Sequence, residues 1–158
     1  MQEAIVRYWE TKCQLLKSSW GISICMGATG TLIHRVSLSY RDDDIIGNKI
    51  IVRIQPNVLL TFAEKEFLRK AITRVERVAE QTIDNSYLLV DITKLEFNLC
   101  DYQEEGLYVV FIKWVTEFLA IEKIDVPATY DKNSNRYVFQ LDKLPLKVQQ
   151  NAQSPSLT

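Results

Sequence analysis

Apolar residues recur along this chain with two different periods, and each stretch is read by the period it keeps. Over residues 2–18, Ile5, Trp9, Cys13 and Leu16 fall at helical spacing, and Ala4, Tyr8 and Leu15 widen the stripe. That spacing predicts an amphipathic N-terminal helix, closed by Trp20 and Gly21. A short β-branched run, Ile22 to Met26, then leads into Gly27-Ala28-Thr29-Gly30, a glycine cluster that reads as a turn. Residues 31–40 alternate: Leu32, His34, Val36, Leu38 and Tyr40 share one side, and Thr31, Arg35, Ser37 and Ser39 the other. This is the pattern of a half-buried strand. Arg41-Asp42-Asp43-Asp44 opens a polar connection ending at Gly47-Asn48, and a second alternating run occupies 49–55 before Pro56-Asn57 stops it.

The next segment predicts a long helix over 62–83. Thr61 and Glu64 have the spacing of a capping box, in which each side chain satisfies an otherwise orphaned backbone N–H. Phe67, Leu68, Ala71, Ile72, Val75, Val78 and Ala79 then form one continuous stripe. After Asp84-Asn85-Ser86, residues 87–97 read as a strand whose apolar start (Leu88, Leu89, Val90) suits a central position in a sheet. Asp101 and Glu104 repeat the capping spacing ahead of a second helix, placed at 104–123, with Leu107, Val110, Phe111, Trp114, Phe118 and Ile121 on its apolar face. Residues 129–141 read as a hairpin around the five-residue loop 131–135. The economical packing of these elements is an α+β two-layer sandwich: one mixed sheet with a core of three strands, helix, strand and helix, an N-terminal helix, and a C-terminal hairpin. The expected organisation is a single domain over 1–144 and a disordered polar tail over 145–158.

Composition narrows the function classes. With 19 basic and 20 acidic residues the net charge is −1, so no global field draws the chain to nucleic acid or an anionic membrane. The three cysteines, Cys13, Cys25 and Cys100, are widely spaced and odd in number, a poor disulfide framework, and read as reduced thiols. No basic and apolar leader and no run of about 18 apolar residues is present. The expectation is a cytoplasmic protein with no membrane association.

The chemistry-bearing residues are sparse. His34 is the one histidine, and its place on an apolar strand face reads as a core histidine. Asp42, Asp43 and Asp44 could offer oxygens to a hard cation, but no phosphate-cradling glycine loop accompanies them, and they read as a solvated turn. Gly27-Ala28-Thr29-Gly30 lacks the Gly-Lys-Ser/Thr ending of a phosphate loop and leads into a strand. Cys100 reads as a plain thiol near a helix start. Lys65, Arg69, Lys70, Arg74 and Arg77 cluster on the long helix and could meet phosphates, although Glu64, Glu66, Glu76 and Glu80 are interleaved with them. Trp9 is read as packing inward, whereas Tyr102, between Asp101 and Gln103, is the exposed aromatic suited to an interface.

The strand Tyr87-Leu88-Leu89-Val90-Asp91-Ile92 is similar to an aromatic-x-Val-Val-Asp-Val strand that follows the first long helix of domain IV of translation elongation factor G. The spacing from Asp91 to Phe111 and Trp114 is also similar, and the layout over about residues 34–120 resembles that domain. The resemblance implies three strands, a helix, a strand and a helix in that order, with a left-handed crossover of the rare kind. It also implies a contact with RNA or the ribosome; no GTPase motif accompanies it.

Catalytic residues, metal ligands and cofactors are therefore expected to be absent. The leading expectation is a non-catalytic protein–protein interaction module: an adaptor, a regulator or a toxin-neutralising immunity-type protein. Its contacts are placed on Asp42, Asp43, Asp44, Asp101, Tyr102, Glu104 and Glu105, and its partner is another protein. The alternative is an RNA- or ribosome-associated domain contacting its partner through Lys65, Arg69, Lys70, Arg74 and Arg77. A second alternative is a cation-dependent enzyme using Asp91 or the Asp42–Asp44 run.

Overall fold

The computed structural model describes residues 5–17, 20–34, 37–97 and 102–141, and these fall into two compact units, 1–125 and 126–158. The first unit is α+β. Its strands are β1 (Ile5–Lys17), β2 (Trp20–His34), β3 (Ile45–Ile46), β4 (Ile50–Ile54) and β5 (Ser86–Phe97), and its helices are α1 (Phe62–Ile83) and α2 (Gly106–Leu119). The five strands form one mixed sheet in the order β1-β2-β5-β4-β3, with β4 and β5 parallel and the other pairs antiparallel.

The predicted N-terminal helix is a strand instead. Ile5, Trp9 and Cys13 are four residues apart, and a spacing of four satisfies a helical stripe and a strand face alike. In the sheet the same residues share one face with Thr11, opposite Ile24, Met26 and Ala28 of β2. Arg7 and Thr11 on that face hide the alternation from a sequence reading. Thr11 is buried, and Arg7 lies against the rings of Trp9 and Phe118 while donating to the Phe118 carbonyl at 2.7 Å.

The predicted turn at Gly27–Gly30 is likewise the middle of a strand, and no glycine in the described residues has positive φ. These glycines serve close packing. A Cβ at Gly30 would lie 2.5 Å from the Phe118 ring and 2.8 Å from Trp114, and one at Gly27 would run into Tyr8. β2 therefore continues unbroken from Trp20, so two long strands and the short β3 precede β4 where a helix and two other strands were expected. Of the alternating run predicted over 31–40, residues 31–34 belong to β2 and 37–40 are not strand, while 35–36 lie outside the described residues.

α1 has the predicted bounds, and its capping box is complete: Glu64 N donates to Thr61 Oγ1 at 3.1 Å, and Thr61 N to Glu64 Oε1 at 2.7 Å. Its buried stripe runs through Glu64, Leu68, Ala71, Ile72, Val75, Ala79 and Ile83, leaving Phe67 half-buried and Val78 exposed, unlike the predicted stripe. α2 starts later than the second predicted capping box placed it. α2 begins at Gly106, so Glu104 precedes the helix, and Asp101 lies outside the described residues. α1 packs beside α2, which lies over β1 and β2, so both helices cover one sheet face. Trp114, Phe111 and Tyr108 are fully buried there, and Trp114 Nε1 donates to the Trp9 carbonyl at 2.7 Å. Burying each such aromatic stabilises the fold by roughly 1.5–3 kcal/mol. No helix among the described residues is long and apolar enough to cross a membrane.

The second unit contains the expected hairpin, β6 (Ala128–Asp131) and β7 (Arg136–Phe139). Asp131 organises its turn by accepting from Asn133 N at 3.0 Å and Ser134 Oγ at 2.8 Å. The predicted tail over 145–158 lies outside the described residues.

Candidate interaction surface

Several charged residues nominated by the sequence are engaged in holding the fold. Asp44 is the clearest case. Both its carboxylate oxygens accept from Arg53, Oδ1 from Nε at 3.0 Å and Oδ2 from Nη2 at 2.8 Å, and Oδ2 also accepts from Arg41 N at 2.8 Å. The Asp44 side chain is fully shielded from solvent and that of Arg53 is 11% exposed. Arg53 also donates to the Ser39 carbonyl at 2.9 Å, so this bidentate pair fastens residues 39–44 to β4. Burial alone would raise the Asp44 carboxyl, but the Arg53 hydrogen bonds, the Arg41 amide and both cations together hold it below its ordinary value. Asp42 and Asp43 remain exposed. The Asp42–Asp44 run is therefore split between a structural pair and two solvated carboxylates.

Tyr102, expected to be an exposed anchor, is half-buried. Its ring stacks on Phe97 with centroids 4.0 Å apart, and its hydroxyl donates to the buried Glu64 carboxylate at the α1 N-terminus. Burial first, then this hydrogen bond and the Glu64 charge, push the phenol far above its ordinary pKa. Glu104 and Glu105 are half-buried, and their carbonyls accept from Leu107 N at 3.0 Å and Tyr108 N at 3.1 Å as the chain enters α2. Of this predicted cluster, Asp101 lies outside the described residues.

The cations of α1 are dispersed among different partners. Arg69 pairs with Glu66 at 2.9 Å, and Lys70 lies 5.6 Å from the Phe67 ring centroid. Arg74 donates to the Tyr108 hydroxyl at 3.1 Å and the Asp125 carbonyl at 3.3 Å. Lys65 is half-buried beside Asp43 in a small groove, and Arg77 is exposed. Asp91 accepts from Gln55 Nε2 at 2.7 Å. Among the described residues no group of three His, Cys, Asp or Glu side chains could hold a metal ion.

His34 is exposed at the end of β2 and not in the core; it lines a concavity of about 550 Å³ with Ile5 and Asp84. Cys13 is buried and Cys25 half-buried. They occupy opposite faces of the β1–β2 pair, since Cys13 faces Ile24 and Cys25 faces Lys12, so they cannot bridge. Burial raises both thiols above their ordinary pKa. Cys100 lies outside the described residues.

What the sequence reading missed is the connection from β4 to α1. Leu59 is 87% exposed and Phe62 78%, the two most exposed large apolar side chains described. Their exposure accompanies a well-fastened backbone. Gln55 N donates to the Ile92 carbonyl at 3.1 Å, Val58 N to the Gln55 carbonyl at 2.9 Å, and Asn57 Nδ2 to the Thr93 carbonyl at 3.1 Å. Val58 is tucked in at 8% exposure, and the capping box fixes the exit into α1. The connection also borders a groove of about 220 Å³ lined by Asp43, Pro56, Leu60 and Lys65 among others. The available signal was the apolar run Val58-Leu59-Leu60 in a connection, followed by a Phe62 that falls off the α1 stripe. Neighbouring exposed apolar side chains on a fastened backbone suit insertion into another molecule's apolar recess. Compared with known family models, curated proteins and solved structures, the chain matches none.

Proposed function

We propose that this chain is a non-catalytic protein–protein interaction module whose docking element is the β4–α1 connection. The carrying observation is the exposure of Leu59 and Phe62 on a backbone fastened from both sides. The partner is a folded protein with an apolar recess that takes these two side chains. Covering both would contribute roughly 3–6 kcal/mol before the costs of association. Lys65 and Lys70 near this end of α1 suit an acidic rim on that recess. Such a module acts as an adaptor, a regulator or a toxin-neutralising immunity-type protein. Affinity capture with the wild type and with a Leu59→Asp/Phe62→Asp variant tests this. A protein retained by the wild type and lost by the variant, at unchanged thermal unfolding, is the expected result. Equal retention by both contradicts it.

A second reading is an RNA- or ribosome-associated domain resembling domain IV of elongation factor G. It draws support from the succession of strands, α1, β5 and α2, and from the exposed Arg69, Lys70 and Arg77. It predicts RNA binding that weakens steeply with salt and falls on charge reversal at Arg69.

A further inference from the structure

The two edges of the five-stranded sheet are finished differently. At one edge β3 is two residues long, too short to template another strand. At the other, β1 runs for 13 residues, and β2 is its strand neighbour in the sheet order. Its pairing with β2 is continuous from Ile5 to Lys17, with no bulge, and the strand contains no proline. Short strands, bulges, prolines and edge charges are the usual means of blocking edge-to-edge association, and of these β1 carries only charges, Arg7, Glu10, Lys12 and Lys17. Ile5, Val6 and Tyr8 on this edge strand are exposed apolar side chains. We propose that β1 is a self-association edge, pairing antiparallel with β1 of a second copy about a two-fold axis through Thr11. This proposal does not depend on the docking role of Leu59 and Phe62.

The register follows from symmetry and charge. In an antiparallel pair directly opposed residues lie on the same face, so a two-fold axis normal to the sheet must pass at a whole residue. Thr11 is the midpoint of Ile5–Lys17, so an axis there pairs the full strand with itself. In that register Glu10 of each copy faces Lys12 of the other, giving two opposite-charge pairs on the sheet face away from the helices. Tyr8 then faces Gln14, and on the helix-covered face Trp9 faces Cys13. Moving the axis one residue either way sets Glu10 against Glu10 or Lys12 against Lys12, which repel. Glu10 is already held on its own sheet by Tyr8 at 2.7 Å and Lys94 at 3.1 Å, and its side chain remains 42% exposed. That pre-positioned carboxylate has lone pairs left for a further cation. A second copy thus completes the edge and produces a ten-stranded sheet with two-fold symmetry.

Sedimentation equilibrium on the full chain tests the proposal. The wild type is expected to form dimers. Glu10→Lys and Lys12→Glu alone should each weaken dimerisation about tenfold, because each turns two attractions into repulsions. The decisive measurement mixes the two single variants. One then presents two cations and the other two anions at these positions, so the mixture should recover dimers as one-to-one pairs. Recovery cannot arise from a folding defect in either variant. A wild type that stays monomeric at all concentrations overturns the proposal. So do dimers indifferent to both substitutions, or single variants that weaken without recovering on mixing.

Discussion

Two connections flank β4, and they dispose of their side chains in opposite ways. Before β4, in residues 37–49, the conspicuous side chain is a carboxylate: Asp44 is drawn out of solvent into a bidentate pair with Arg53. After β4, in residues 55–61, the polar groups Gln55, Asn57 and Thr61 fasten the backbone while Leu59, and Phe62 at the start of α1, face outward. Charge alone nominates the first connection as a contact surface and hydrophobicity nominates the second as core. The fold instead shields Asp44 in the first and leaves Leu59 and Phe62 exposed in the second. A charged group with good geometry can be structural, and an apolar one with nothing to pack against is free to dock.

That contrast can be broken by substitution, and the largest effect belongs to the buried pair. Asp44→Ala leaves Arg53 with an uncompensated shielded charge and should destabilise by about 3 kcal/mol, measured by urea unfolding. An Asp44→Leu/Arg53→Met double variant, which removes both charges, should be markedly less damaging. Tyr102→Phe tests the same principle at the α1 N-terminus. Losing the hydrogen bond to the Glu64 carboxylate should cost about 2 kcal/mol, whereas an exposed contact residue would cost nothing. The Asp44 carboxyl is depressed in the folded state. Its stabilisation is therefore present above the unfolded value of about 4 and lost as pH falls through the folded value. The stability gap between wild type and Asp44→Asn should narrow on going from neutral pH toward that acid range. At the small end, Leu59→Asp and Phe62→Asp should each change stability by no more than about 0.5 kcal/mol.

Legibility in the sequence followed how many physical signals agreed at each place. For α1 the capping box, the 3.6-residue stripe and the flanking turn residues all point the same way, and the helix has the predicted bounds. β5 was legible because an apolar run between polar turns suits a central strand. β1 was misread because its strongest residues sit four apart, a spacing both periods accept, while Arg7 and Thr11 occupy the covered face. Gly27 and Gly30 were misread as turn residues because sequence cannot show the rings of Tyr8, Trp114 and Phe118 lying over them. Asp44, Tyr102 and Arg74 were nominated as contacts because their partners, Arg53, Glu64 and Tyr108, lie 9, 38 and 34 residues away. Leu59 and Phe62 escaped notice because exposure depends on what the fold fails to place over a residue.

The claim on which the functional reading rests is that Leu59 and Phe62 hold no share of the fold. Urea unfolding of the Leu59→Asp/Phe62→Asp double variant measures this directly. The account predicts an unfolding free energy within about 1 kcal/mol of wild type and an unchanged denaturant slope. A loss of more than about 2 kcal/mol would place the two side chains in the folded core and contradict it.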